Sequence, residues 1–133
     1  MDIDWAREFI IANPRGVLTT VRRDGRPQMS PVTPGIDEAG RVVVSVTEER
    51  AKTRNARRDP RVALCVFSEG FYGPWAQVEG DAEIVDGPAG VEALVDYYRR
   101  LSGEHEDWAE YRKAMVNDHR VLLRFEITRA VKP

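Results

Sequence analysis

Gly16-Val17-Leu18-Thr19-Thr20-Val21-Arg22-Arg23-Asp24-Gly25-Arg26-Pro27-Gln28-Met29-Ser30-Pro31-Val32 reads as two strands joined by a turn. Val17, Thr19 and Val21 alternate with Leu18, Thr20 and Arg22, which is the two-residue period of a strand with one buried face. Asp24-Gly25 is the preferred pair for a two-residue hairpin turn, so an antiparallel return through Pro27 to Val32 is predicted. Working outward, Val42, Val44 and Val46 define the inner face of a third strand, with Ser45 and Thr47 facing away from it. Such a split suits a strand that fills a barrel on one side and lines a groove on the other. Val62–Phe67 and Trp75–Val85 read as further strands, the second with a bend at Gly80. A sixth is predicted from Val121, Leu123, Phe125 and Ile127.

Helical periods occupy the remainder. Trp5, Phe9 and Ala12 recur behind Asp4 as N-cap, and Pro14 stops the pattern. Arg50–Asp59 forms a short basic helix ended by Pro60. Val91, Leu94, Val95 and Tyr98 mark one late amphipathic helix, and Trp108, Tyr111, Met115 and Val116 another, separated at Ser102-Gly103. The expected class is mainly β with peripheral helices, in a single domain over residues 1–133. Six antiparallel strands of this length favour a closed or partly closed barrel, which also hides strand edges.

Composition narrows the function. The net charge of -2 gives no basic excess for nonspecific nucleic-acid binding, and no nucleic-acid partner is expected. No apolar run approaches the ~20 residues of a membrane span, and the first residues carry Asp2, Asp4 and Glu8 where a secretory signal carries positive charge. With Cys65 as the lone cysteine, a reducing, cytoplasmic setting follows, with no membrane partner. His105 and His119 are too far from each other and from Cys65 for a metal-ligand cluster. No nucleophile elbow, Walker loop or dinucleotide fingerprint is present, and no catalytic residue is assigned. The acidic Glu104, Glu106, Asp107 and Glu110 read as favourable charges at a helix start.

The chemistry concentrates in Arg50-Ala51-Lys52-Thr53-Arg54-Asn55-Ala56-Arg57-Arg58, five cations in nine residues directly after a strand. At about 100° per residue, Arg50, Arg54, Arg57, Arg58 and Arg61 share one side of the helix while Lys52 points nearly opposite. Free first-turn amides and the positive helix end can cradle a phosphate, with Lys52 or Arg50 neutralising it and Thr53 and Asn55 adding hydrogen bonds. A solvated basic helix paired to scattered carboxylates, or a subunit contact, is equally compatible with composition. Ser30, Ser45, Thr47 and Gln77 are polar positions within strands, and Trp75 suits either a core or a stacking role on a planar ring.

Gly16-Val-Leu-Thr-Thr20, Asp24-Gly-Arg-Pro-Gln-Met-Ser30, Arg50-Ala-Lys-Thr-Arg-Asn55 and Arg57-Arg-Asp-Pro60 succeed one another as in the pyridoxamine 5'-phosphate oxidase-like split-barrel superfamily, which the chain resembles. Val78-Glu-Gly80 with Ala82 continues the resemblance. Gly103-Glu-His-Glu-Asp-Trp108 and Tyr111-Arg-Lys-Ala-Met-Val116 are similar to its actinobacterial deazaflavin-dependent branch. The resemblance implies a six-stranded antiparallel Greek-key split β-barrel of the FMN-binding type, forming a homodimer with two cofactor grooves at the subunit interface. It implies that Arg50, Lys52, Thr53 and Asn55 hold the cofactor phosphate. Ser30 to Val32 and Ser45 to Thr47 would border the ring, and Trp75 to Gln77 would approach from the neighbouring subunit. The implied activity is hydride transfer from reduced coenzyme F-420 to an electron-poor small organic substrate, with FMN as the alternative cofactor and a non-catalytic carrier as the alternative role. The C-terminal Ile127-Thr-Arg-Ala-Val-Lys-Pro133 lacks the Arg-rich substrate-binding segment of the vitamin oxidases, so vitamin oxidation is not expected.

Overall fold

The computed structural model describes residues 2–133. Helix α1 spans Ile3–Ala12, and its cap is Asp2, whose Oδ1 accepts the Trp5 N–H at 2.8 Å. Asp4, expected as the cap, instead lies in the first turn and pairs with Arg7 at 3.0 Å. The cap falls two residues early because Ile3 joins the helix and packs at the core margin. Ala6 and Ile10 are fully buried, while Trp5 and Phe9 stack on each other beside them at 5.2 Å.

Strands β1 (Gly16–Val21) and β2 (Pro27–Val32) pair antiparallel, as the opening stretch predicts. The turn between them is one residue longer than Asp24-Gly25 alone suggests. The Arg22 N–H bonds Arg26 O, the Gly25 N–H bonds Arg22 O, and within the loop only Gly25 takes positive φ, at 88°. That is a three-residue loop closed by a left-handed glycine; a two-residue turn of the Asp-Gly kind would need Asp24 left-handed as well.

A two-residue strand β3 (Gly35–Ile36), too short to show a period, precedes β4 (Val42–Thr47), helix α2 (Ala51–Arg58), β5 (Arg61–Phe67) and β6 (Trp75–Val85). Helices α3 (Gly87–Ser102) and α4 (Trp108–Asn117) follow, then β7 (Arg120–Phe125) and β8 (Arg129–Val131). All strand pairs are antiparallel, in the order β2-β1-β5-β6-β7-β4-β3, with β8 also on β6. The fold is therefore mainly β with peripheral helices, a split barrel whose sheet path stays open between β2 and β3.

One strand joins the two halves. β6 pairs β5 from Trp75 to Asp81 and β7 from Ala82 to Val85, so it crosses from one sheet to the other just after Gly80. The expected sixth strand breaks after Phe125 even though Ile127 remains buried. Thr128 turns both its N–H and its hydroxyl to Glu79 O, at 2.9 and 3.2 Å, and this bond redirects the chain into β8.

Leu18, Leu64, Val66, Val78, Val44, Val46, Leu123 and Phe125 fill the barrel. Val43 and Leu122, on the outer face of β4 and β7, are covered instead by Leu94, Val95 and Tyr111 of the helical pair. Coverage ends at Val43, so Ser45 and Thr47 on that same face stay partly open. The acidic segment before α4 is structural: Asp107 caps the helix through the Glu110 N–H, and Glu104 accepts from Arg99 and Trp108. Among the described residues no helix is long and apolar enough to cross a membrane, and no group of three His, Cys, Asp or Glu side chains is placed to hold a metal.

Candidate functional site

The seam between β2 and β4 is not bridged by hydrogen bonds, and it opens into a groove of about 470 Å³. Its walls carry Gln28 and Ser30 from β2, Ser45 and Thr47 from β4, Arg50, Ala51 and Lys52 from the start of α2, and Arg120 from β7. The helix start is fixed there by the end of the preceding strand. Thr47 O accepts the Arg50 N–H at 3.1 Å and the Thr53 hydroxyl at 2.7 Å, and Glu48 N–H bonds His119 O at 2.9 Å. The N–H groups of Ala51 and Lys52 face no backbone acceptor, as first-turn amides do, and remain available to a ligand.

Lys52 Nζ donates to Ser30 Oγ at 3.3 Å across the groove. Burial lowers the Lys52 pKa from the ordinary lysine value, and the nearby charges of Arg50 and Arg120 lower it further. Among the described residues neither of these arginines nor Lys52 has a carboxylate partner within salt-bridge distance. Three cations, two free amides and three hydroxyls thus converge without a counter-charge, which is a built environment for a phosphate or similar anion.

Five of the sequence-derived residues meet here: Ser30, Ser45, Thr47, Arg50 and Lys52. Thr53 and Asn55 do not line the groove. Thr53 is fully buried with its hydroxyl committed to Thr47 O, and Asn55 donates to Thr20 Oγ1 at 3.1 Å while accepting from Arg58 at 3.0 Å. Their hydrogen bonds hold α2 in place, and of the two Asn55 also borders an adjoining recess. Val32 packs against the core margin. Trp75 and Gln77 sit on β6 opposite Phe67 and Cys65, on the outer face of the sheet, where Gln77 donates to Glu79 at 3.1 Å.

Arg120 and Gln28 are groove residues that the sequence pattern did not single out. Arg120 arrives because Thr47 and Arg120 are register partners in the β4–β7 pair. Only the pairing of those two strands could have signalled it.

The basic face of α2 also divides. Arg57 is bound by Glu48 and Asp86, and Arg61 belongs to β5 and pairs with Asp59 at 2.7 Å, holding that carboxyl down to about 2. Arg54, Asn55 and Arg58 instead join Arg22 and Arg23 around a second recess of about 340 Å³, which shares Gln28 and Ala51 with the groove. Arg58 is held there by Val21 O at 2.8 Å as well as by Asn55.

On the opposite side, the outer face of β2, β1 and β5 carries Met29, 62% exposed, together with exposed Cys65, and Trp75 extends it onto β6.

Comparison with known proteins agrees with this architecture. A conserved hypothetical protein, Rv2991, from Mycobacterium tuberculosis is 26% identical, with a TM-score of 0.79 over 99% of this chain and 84% of that one. An F-420 reductase is 27% identical, with a TM-score of 0.69 over 93% of this chain and 94% of its own. A heme binding protein from Mycobacterium smegmatis shares the fold at 20% identity, with a TM-score of 0.73 over 98% of this chain and 53% of that one. The family model for pyridoxamine 5'-phosphate oxidase matches residues 4–131, and with the open antiparallel barrel and its cationic seam already described, the chain belongs to that family.

Proposed function

We propose that this chain is an oxidoreductase that binds coenzyme F-420 in the β2–β4 seam and acts on an electron-poor small organic substrate. The observation that carries this reading is the convergence of Lys52, Arg50 and Arg120 on one groove with no carboxylate among them. Reduced deazaflavin supplies a hydride when bound. The chain's own part is to seat the anionic group on Lys52 and the α2 amides, and to orient the ring along Ser30 and Ser45. The groove lining offers no carboxylate, histidine or thiol for acid–base or nucleophilic work, so the residues bind and position.

F-420 is favoured over FMN by the adjoining recess. Arg23, Arg54 and Arg58, beside an Arg22 that Asp24 pairs at 3.3 Å, extend positive charge past the first anion site, farther than one phosphate needs and in keeping with a polyglutamyl tail. The likeness to an F-420 reductase at 27% identity points the same way. Calorimetric titration with both cofactors tests the choice: F-420 binds more tightly than FMN, and FMN binding without detectable F-420 binding would move the reading to a flavin enzyme. The affinity falls as pH rises through the lowered Lys52 pKa, because the amine loses its charge while Arg50 and Arg120 keep theirs. Bound anion favours the protonated amine, so binding takes up protons in that window. Lys52→Arg flattens the profile.

The reading includes a homodimer in a cytoplasmic setting. Met29, Cys65 and Trp75 are exposed together on the outer face of the sheet, and a second copy of the same face is the simplest complement. Light scattering is expected to give twice the chain mass; a value near 15.1 kDa would remove this part of the proposal.

A further inference from the structure

The apolar stripes of α3 and α4 run on past the part of the sheet they cover. Leu94, Val95 and Tyr111 are buried with Val43 and Leu122, but Val91 and Met115 on the same stripes stay half-buried and Val116 is 61% exposed. With Pro88 and Val121 they line an open cleft of about 500 Å³ between the start of α3, the end of α4 and the start of β7. A cleft of that size with aliphatic walls accommodates the body of a small molecule.

The charged groups on its lining are unequal. Glu48 commits both carboxylate oxygens to Arg57, and His119 pairs with Glu49. The first turn of α3 carries no carboxylate. Arg120 is left, and among the described residues no carboxylate lies within salt-bridge distance of it.

Arg120 also lines the β2–β4 groove, so groove and cleft share one wall. Their chemistry differs. Hydroxyls and further cations face the Lys52 side, whereas valines, a proline and a methionine face the other. A purely polar anion would leave those apolar side chains in water, and a purely apolar ligand would leave the guanidinium without a counter-charge. A molecule with an apolar body and one carboxylate answers both: the body covers the valines and the carboxylate takes the guanidinium fork.

We propose that this cleft is a binding site for a small apolar monocarboxylate, held by Arg120 at the carboxylate and by Val91, Met115 and Val116 along its body. Cofactor binding is not required for it.

The probe is octanoate, with octanol as its uncharged twin, titrated into the whole chain isotope-labelled at the methionine methyls and without added cofactor. Octanoate shifts the Met115 methyl resonance and leaves that of Met29, on the opposite face of the sheet, in place. It binds about tenfold more tightly than octanol, the effect of one charge-assisted contact. Arg120→Gln removes that advantage, and Lys52→Ala, which alters only the groove, keeps it. An unmoved Met115 resonance, equal shifts at Met29 and Met115, or a preference for octanoate that survives Arg120→Gln overturns the proposal. Loss of the preference in Lys52→Ala puts the acid in the groove and overturns it as well. F-420 titrated into the same preparation separates the two readings: octanoate binding at Met115 without F-420 binding defeats only the cofactor proposal, and F-420 binding with Met115 unmoved by octanoate defeats only this one.

Discussion

Replacing both Lys52 and Arg120 with alanine is expected to weaken cofactor binding by about 3 kcal/mol, a loss of roughly a hundredfold in Kd. Each side chain faces the same groove, and on the proposed reading each would supply a charge-assisted contact of about 1 to 3 kcal/mol to a bound phosphate. The two effects fall short of additivity because the cations share one anion. The fold should survive, since Lys52 bonds only Ser30 and neither side chain belongs to the core. Stability should hold or rise slightly. The lowered Lys52 pKa means that the native state disfavours that charge, through burial and through Arg50 and Arg120, and removal relieves this. Calorimetric titration and thermal melting of the same preparations read both quantities. Undiminished affinity in a folded double variant would place the anion elsewhere.

Gly80→Ala should damage the scaffold severely, costing about 3 kcal/mol and lowering Tm by about 10 °C. A methyl group there would overlap the Glu126 carbonyl oxygen and come within 2.7 Å of Phe125 Cδ2. Those neighbours cannot simply rotate away. One is backbone at the point where the chain leaves β7, and the other is a ring 2% exposed in the barrel core. The position matters because β6 changes partner from β5 to β7 immediately beyond it. Gly25→Ala is the natural control: it has open space around it and strains only a turn of φ 88°, so its cost is about 1 kcal/mol. Melting curves in which Gly80→Ala loses no more than Gly25→Ala would contradict this account of the crossing.

Much of the architecture was legible from pattern. The alternation in Gly16–Val32, the valines of β4, the long run Trp75–Val85 and the helical periods of the late pair all match their elements. Errors fell where local signals compete with tertiary ones. Ile127 kept the strand period because its side chain is buried, yet Thr128 bonds Glu79 and ends the strand. Asp4 and Asp2 are both good caps by type, and the packing of Ile3 decided between them.

The site divides along the same line. The cluster of cations at the head of α2, behind a strand that ends in alternating hydroxyls, can be read from residues alone, because charge density and a two-residue period are local properties. Chain-distant contacts are not local. Thr53 and Asn55 have the same polar character as Ser45 and Thr47, and only the seating of α2 on β1 and β4 turned them inward. The union of Arg120 with Lys52 depends on β4 pairing with β7 in one register. An alternating strand declares which of its faces is buried but not which strand will lie beside it. Sequence by itself therefore determined an antiparallel barrel with cations clustered at a helix start, while the tertiary structure alone decided which of those cations are paired and which share a groove.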